Sequence, residues 1–340
     1  MTERGPYRVL WPMMRWPTDW DIERKSVGDG VTAEFAAQFD KVTDEQWRNV
    51  DALVTVIDLP AQLRAKLEKC RILVTPSVGF DKLDLAAWGA LGIPVCNVPD
   101  YGTMEVADHA IALMLTLLKG TAFHVEALRA DPRGNWRPAL NPFGRRLSVC
   151  SFGIVGLGRI GTATALRAKA FGMRVSFYDP YLPNGVQLAL GIERAATLAE
   201  LMATSDVVSV HAPLSKETEK LIGRDAFAAA RKRLILINTA RGPIVDLDAL
   251  SDAMRDDIVL AAGLDVLPDE PANPNHPLIA AWSRGEPWIR DRLVLTPHSA
   301  FCTPESVHDM RAKAGEVAAT YLRDGRLMNC VNAEHLTRRR

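Results

Sequence analysis

Phe152-Gly153-Ile154-Val155-Gly156-Leu157-Gly158-Arg159-Ile160-Gly161 runs from an apolar stretch into three spaced glycines, and the helical pattern Thr162–Ala170 follows at once. A β-rich run, a G-x-G-x-x-G turn and a helix, in that order, open a dinucleotide-binding βαβ unit. Gly156 permits the tight turn, Gly158 lets a pyrophosphate approach the backbone, and Gly161 lets the helix lie close on the strand. Arg159 and Ile160 lead into the helix, whose N-terminal N–H groups and positive dipole end suit an anion. The next strand, Val175–Tyr178, ends at Asp179. A carboxylate there accepts hydrogen bonds from ribose hydroxyls and repels a 2′-phosphate, so NAD is expected over NADP. Pro180-Tyr181-Leu182 bring no cation; NADP stays open only if Arg174 or a more distant cation folds back.

Outward from this motif, short β-rich runs alternate with helical stretches, as in parallel sheets crossed over by helices. The motif's own series has six expected strands: Phe152–Val155, Val175–Tyr178, Val207–His211, Leu234–Asn238, Ala262–Asp265 and Leu293–Thr296. An earlier series has strands at Tyr7–Trp11, Ala52–Ile57, Arg71–Thr75 and Pro94–Val98, with a helix such as Leu59–Glu68 between them. Between the series, Met104–Arg129 reads as one long helix, apolar almost all round and so buried, either as an interdomain core helix or as a subunit interface. Asp131–Arg146, rich in Pro and Gly, reads as an ordered surface excursion or linker. A last helix, Pro304–Leu322, is expected to return to the first domain. The expected fold is α/β with two Rossmann-like domains and an active-site cleft between them. Residues 1–99 with 302–340 form a flavodoxin-like substrate domain, and residues 100–301 a doubly wound NAD-binding domain.

A chain of 340 residues suits about two domains. Lys+Arg and Asp+Glu are both 41; the absence of a basic excess argues against a direct nucleic-acid partner. The longest nearly unbroken apolar run, Ala110–Leu118, is far short of the roughly 20 residues of a membrane span, and no apolar leader opens the chain, so a cytoplasmic setting without membrane attachment is expected. Five scattered cysteines, without C-x-x-C spacing, read as reduced packing thiols, and no metal site is expected.

Further islands fall at later strand ends: His211-Ala212-Pro213-Leu214, Asn238-Thr239-Ala240-Arg241-Gly242, Gly263 through Pro271, and Thr296-Pro297-His298-Ser299-Ala300. Reduction of a 2-oxo acid needs a hydride donor, a proton donor for the carbonyl oxygen and a cation for the carboxylate. Arg241 offers a permanently charged fork. His298 can give a proton near neutral pH, with Glu270 on its other ring nitrogen to fix the ring and stabilise imidazolium. For His211, a structural or loop-packing role stands beside a cofactor-loop role. In order and spacing, these islands, the glycine motif, Val78-Gly79-Phe80-Asp81, Asn97-Val98-Pro99 and Val106-Ala107-Asp108-His109 resemble the D-isomer-specific 2-hydroxyacid dehydrogenase family over roughly residues 50–335.

That resemblance implies Arg241, Glu270 and His298 as the catalytic residues. It places Val78 and Gly79 N–H groups, with Arg241 and His298, on the substrate. It places Thr103, His211, Pro213, Thr239, Ala240, Arg241, Asp265 and His298 at the cofactor beside the glycine loop and Asp179, with Asp265 on the nicotinamide carboxamide. Arg167 through Leu182 and Asn329-Cys330-Val331-Asn332 resemble the branch containing the C-terminal-binding-protein corepressors. Two functions follow as expectations. The first is an NAD-dependent oxidoreductase interconverting a small 2-oxo acid and its D-2-hydroxy acid, of glyoxylate or hydroxypyruvate size, working as a homodimer joined through the 104–129 helix. The second is an NAD(H)-sensing corepressor-like binding protein on the same fold. Three departures stand out: Ala281 through Trp288 reads as an insert looping outward, Phe301 stands where the corepressor branch carries Trp, and Trp11 through Pro17 with Trp20 matches no family motif. That last stretch is either a packed first strand and turn or a segment covering substrate or a subunit.

Overall fold

The computed structural model describes residues 6–13, 19–231 and 233–336, and these divide into two compact units, Met1–Gly102 with Cys302–Arg340, and Thr103–Phe301. The change of unit falls at Gly102/Thr103, a few residues later than the expected boundary at 99/100, where Thr103 starts a helix whose buried residues Ala110 to Leu118 join the second unit's core.

The first unit is built on a parallel sheet of β1 (Tyr7–Trp11), β2 (Val31–Phe35), β3 (Ala52–Val54), β4 (Ile72–Thr75) and β5 (Val95–Asn97), in the order β2-β1-β3-β4-β5. This is the flavodoxin-like order. Successive side chains point to opposite faces of a strand. Val9, Ala52, Ile72, Val74 and Cys96 therefore meet the 304–324 helix through Ala314, Val317, Ala318 and Leu322. Leu10, Leu53, Leu73 and Val95 meet Trp47 and Trp88 on the other face. The helix Pro304–Asp324 opens with a Thr303/Ser306 capping box and ends at Gly325, whose φ of 67° is left-handed. Strand β2 was not expected: VTAEF is only half-buried at the sheet edge. The expected 59–68 helix shrinks to Ala61–Arg64 after Pro60. Trp11 and Trp20 stack on Phe35 at 5.3 and 4.5 Å between centroids, so both serve packing; Met14–Pro17 lie outside the described residues.

The second unit has a parallel sheet of seven strands, not six. They are β6 (Ser151–Val155), β7 (Arg174–Tyr178), β8 (Glu193–Arg194), β9 (Val207–Val210), β10 (Leu234–Asn238), β11 (Val259–Leu264) and β12 (Leu293–Leu295), ordered β12-β11-β10-β9-β6-β7-β8. The chain builds outward from β6 on one side and then returns to β9 on the other, which puts a switch point beside the glycine motif. Leu234 and Leu236 face the 247–255 helix through Leu250 and Met254, while Ile235 and Ile237 face the 103–119 helix through Leu113, Met114 and Leu117.

The expected long helix is two helices, Thr103–Lys119 and Thr121–Ala130, bent by 56°. Gly120 takes φ 65°, and Asn141 Nδ2 bonds the Leu117 carbonyl at 2.7 Å, closing the first helix there. The first helix is buried within its own unit; the second has no buried residue. Residues 131–146 run without helix or strand, leaving Trp136 79% and Leu140 95% exposed. The expected outward insert is instead packed. Ala281 and Ile289 are buried, Trp282 Nε1 bonds the Leu293 carbonyl at 3.0 Å, and the Arg255 guanidinium lies 3.8 Å from the Trp288 ring centroid. No single helix among the described residues is long and apolar enough to cross a membrane.

Candidate active site

In the second unit the carboxyl ends of β6, β7 and β9 converge. Gly156, at φ 88°, lies so close to the end of β9 that a Cβ would sit 2.8 Å from Ala212 Cα. At Gly161 a Cβ would meet the Gly156 carbonyl at 2.2 Å, whereas at Gly158 it would meet nothing within 4 Å. Gly156 and Gly161 thus close the fold, and Gly158 keeps open space over the start of the 159–170 helix. Asp179 accepts from Leu157 N at 2.9 Å and Tyr181 N at 3.0 Å, so its carboxylate also pins the glycine loop to the end of β7. Arg174 begins β7, at the end away from Asp179. The cation beside Asp179 is Arg194, and its guanidinium donates to the carbonyls of Asp179 and Leu182, both at 2.8 Å, and of Pro183 at 3.2 Å.

His211 shares a 2.8 Å hydrogen bond between Nε2 and Ser209 Oγ, while its Nδ1 is sealed from solvent without a partner among the described residues. Burial pushes this imidazole down to about 3, so it is neutral at physiological pH. Pro213 is exposed and accepts from Thr218 Oγ1 at 2.6 Å.

The ends of β10, β11 and β12 carry the remaining groups. Asn238, fully buried, accepts from Ala240 N at 3.0 Å and donates to the Arg241 carbonyl at 2.9 Å, shaping the turn that presents Thr239, Ala240 and Arg241. Thr239 is buried and its Oγ1 has no partner among the described residues. The Arg241 guanidinium donates to the Ala240 carbonyl at 2.8 Å. At Gly242 a Cβ would sit 1.9 Å from the Leu267 carbonyl carbon, so only glycine lets the Arg241 turn lie against the Leu267–Glu270 segment. Glu270 Oε2 meets His298 Nδ1 at 2.8 Å, and Glu270 Oε1 accepts from Leu267 N at 3.3 Å. With Nδ1 engaged, Nε2 is the ring nitrogen left to carry a proton to or from a ligand. The Phe301 ring stands edge-on to His298, centroids 6.2 Å apart at 84°.

His298 sits at φ 51°, a left-handed conformation held from behind. Its N–H donates to the Asp265 carbonyl at 2.8 Å. The Asp265 carboxylate, itself buried, accepts from Thr296 Oγ1 at 2.6 Å and from Ser299 N and Ala300 N at 2.9 Å. His109 Nε2 completes the cluster, 3.0 Å from Thr296 Oγ1 and 3.6 Å from Asp265. Asp265, read from the sequence as a cofactor contact, also anchors the loop that carries His298 through both of its oxygens.

Of the residues expected elsewhere, Thr103 is the first residue of the 103–119 helix. Val78 and Gly79 lie in the first unit after β4. The Val78 carbonyl accepts from Asn97 Nδ2 at 2.7 Å and the Gly79 carbonyl from Ser77 Oγ at 2.6 Å, while neither N–H donates to any described residue. Sequence reasoning gave no role to Asn238, Ser209, Arg194 or His109. Asn238 and His109 fell within recognised motifs without a role of their own; Asn238 and Ser209 bond residues two or three positions along the chain, whereas Arg194 and His109 meet partners far away in sequence.

The open space over Gly158, the uncapped start of the 159–170 helix and the orphaned Thr239 Oγ1 and His211 Nδ1 form a polar cradle that fits a dinucleotide. Among the described residues no group of three or more His, Cys, Asp or Glu side chains could hold a metal ion.

Residues 111–300 match the family described as D-isomer specific 2-hydroxyacid dehydrogenase, NAD binding domain. A glyoxylate reductase of Korarchaeum cryptofilum is 36% identical over 83% of this chain and 81% of its own length. Among solved structures, an NADPH-dependent glyoxylate/hydroxypyruvate reductase from Sinorhizobium meliloti, in complex with NADP and malonate, superposes with a TM-score of 0.83 at 28% identity, covering 99% of both chains. A D-lactate dehydrogenase from Aquifex aeolicus, with NAD and lactic acid, superposes with a TM-score of 0.76 at 27% identity, covering 93% of this chain and 95% of that one. A strand-ordered NAD-binding unit, an Arg, Glu and His on adjoining strand ends, and these similarities lead to one conclusion: the chain belongs to the D-isomer specific 2-hydroxyacid dehydrogenase family and is an oxidoreductase.

Proposed function

We propose that the chain reduces a small 2-oxo acid, of the glyoxylate and hydroxypyruvate class, to its D-2-hydroxy acid. The observation that carries this reading is the His298 Nδ1 to Glu270 contact at 2.8 Å, with Nε2 left for proton transfer. NADH, when bound, supplies the hydride. Arg241 grips the carboxylate or keto oxygen and polarises the carbonyl, a task for a planar, permanently charged fork. His298 gives its Nε2 proton to the carbonyl oxygen, while Glu270 fixes the ring and its tautomer. The unused N–H groups of Val78 and Gly79 are assigned to the substrate carboxylate. Gly156, Gly158, Arg159, Ile160, Gly161, Asp179, His211, Pro213, Thr239, Ala240, Asp265 and Thr103 are assigned to the cofactor.

NAD is the proposed cofactor rather than NADP. Asp179 would repel a 2′-phosphate, and Arg194 beside it is committed to three carbonyls. The NADPH-dependent relative makes this choice worth testing. The likeness to the corepressor branch rests on the segments 167–182 and 329–332 alone, and the reductase reading takes precedence because the curated relative is named a glyoxylate reductase. We also propose a cytoplasmic homodimer. The 103–119 helix spends all its large apolar side chains but the exposed Met104 at least partly inside its own unit, so the contact is assigned to Val125, Trp136 and Leu140, which are exposed on the following helix and loop.

The test follows NADH oxidation with a panel of glyoxylate, hydroxypyruvate, pyruvate and larger 2-oxo acids, for the wild type and His298→Ala. Turnover of a small 2-oxo acid that the substitution abolishes supports the assignment. NADH binding without turnover of any panel member overturns it and favours the sensing protein.

A further inference from the structure

Two thiols face each other in the first unit, neither of them given a role above. Cys96 is the central residue of β5, and Cys330 stands opposite it in an isolated antiparallel bridge. The flanking hydrogen bonds fix the type of pairing: Asn97 N donates to the Asn329 carbonyl at 3.2 Å, and Val331 N to the Val95 carbonyl at 2.8 Å. Cys96 and Cys330 are therefore a non-hydrogen-bonded pair, the class in which facing Cα atoms stand about 4.5 Å apart and side chains are closest. That separation lies inside the roughly 4.4–6.8 Å range that a disulfide spans.

Hydrogen bonding of the Cys96 thiol toward Cys330, with Cys96 as donor and burial reinforcing it, raises the Cys96 thiol well above its ordinary range and keeps it protonated. Cys96 is fully buried, whereas Cys330 is only half-buried. The pair thus has an outer sulfur that a small oxidant can reach and an inner one facing it. Such an arrangement has the two parts of a redox-sensitive dithiol, an entry thiol and a resolving thiol. The other three cysteines lack it, since Cys70 and Cys150 are buried and Cys302 is exposed, with no second cysteine bridged to any of them.

We propose that Cys96 and Cys330 form an oxidisable dithiol site whose substrate is a small peroxide. The Cys330 thiolate attacks a peroxide oxygen; the S–O bond forms as the O–O bond breaks, and the departing oxygen leaves as water after taking up the thiol proton. Cys96 sulfur then attacks the Cys330 sulfenic acid, forming S–S and breaking S–O, and its own proton leaves with the hydroxyl as a second water. Two thiols are oxidised and one peroxide is reduced to two waters. The disulfide ties the 329–332 segment to β5. This segment also holds the sheet through Asn332, whose Oδ1 accepts from Val95 N at 2.8 Å and whose Nδ2 reaches the Ile93 carbonyl at 3.1 Å. The two strands are thus in register before the bond forms.

The experiment uses the full chain carrying Cys302→Ser, to remove the exposed thiol. The reduced protein is treated with a few equivalents of hydrogen peroxide and quenched, then alkylated under denaturing conditions and measured by intact mass and peptide mapping. The expected result is loss of two of the four remaining thiols, a mass lower by about 2 Da before alkylation and a peptide linking Cys96 to Cys330, all reversed by dithiothreitol. The added substitution Cys330→Ser, checked for an unchanged thermal midpoint, should keep all three of its thiols. Four intact thiols after treatment overturns the proposal. So does oxygen addition at Cys330 without a cross-link, or a disulfide joining any other pair.

Discussion

Replacing Asp265 by Asn keeps the volume of a buried side chain and removes its charge. The native carboxylate accepts three hydrogen bonds, Thr296 Oγ1 and Ser299 N on Oδ1 and Ala300 N on Oδ2. In the variant one oxygen still serves Oδ1's partners, but an NH₂ faces the Ala300 N–H. One charge-assisted bond, about 1.5–3 kcal/mol, is lost, and a buried donor is left unsatisfied at about 1–3 kcal/mol more. Taking about 3 kcal/mol as the local cost, opening of the 296–300 loop becomes about 10²-fold more frequent, since about 1.4 kcal/mol is tenfold. Hydrogen exchange at the Ser299 and Ala300 amides reads this directly, and it should speed up by that factor while amides of the 304–324 helix do not change. The loop carries His298 at φ 51°, so its loosening should lower kcat about 10²-fold, with a smaller change in KM, because positioning of the proton donor is what suffers. Exchange at these two amides and kcat both within twofold of the wild type would refute the view that Asp265 holds the proton donor in place.

Asp179→Ser should narrow the preference for NADH over NADPH by about tenfold or more, from removal of a like charge worth about 1–2 kcal/mol near a 2′-phosphate; binding titrations of both nucleotides check it, and an unchanged ratio contradicts the role given to Asp179. His211 makes stability depend on pH with a definite sign. Its folded value is depressed to about 3, so below the unfolded value near 6.5 the unfolded chain takes up a proton that the native chain refuses, and stability falls by about 1.4 kcal/mol per pH unit until the folded value is reached. Urea midpoints at pH 7 and pH 5 should therefore differ by more in the wild type than in His211→Asn. Trp136→Ser with Leu140→Ser should convert a dimer to a monomer in sedimentation velocity; a dimer that persists would move the interface elsewhere.

The second unit was legible because its strands are buried on both faces and read as unbroken apolar runs, such as LILIN at 234–238. Strand β8, only Glu193–Arg194, has no such run and takes its place from pairing with β7. The break at Gly120 escaped notice because apolar periodicity continues across it; what ends the helix is a backbone conformation and Asn141 from a later loop. Residues 281–288 looked like an insertion by length, yet Ala281 and Trp288 face the core. The catalytic assignments follow from the family resemblance of the motifs, but their supports do not. Nothing local in the sequence says that His109 meets Thr296, or that Asp265 gathers the N–H groups of Ser299 and Ala300.

The 304–324 helix covers one face of the first unit's sheet although about two hundred residues separate it from β5 in the chain. During synthesis at roughly 5–20 residues per second, that face waits about 10–40 s for its cover. The second unit, whose strands are all made by Leu295, has its full sheet before the first unit can close its own. The part of the chain translated first is therefore the part completed last, and Val9, Ile72 and Val74 are what a nascent-chain chaperone would meet in the interval.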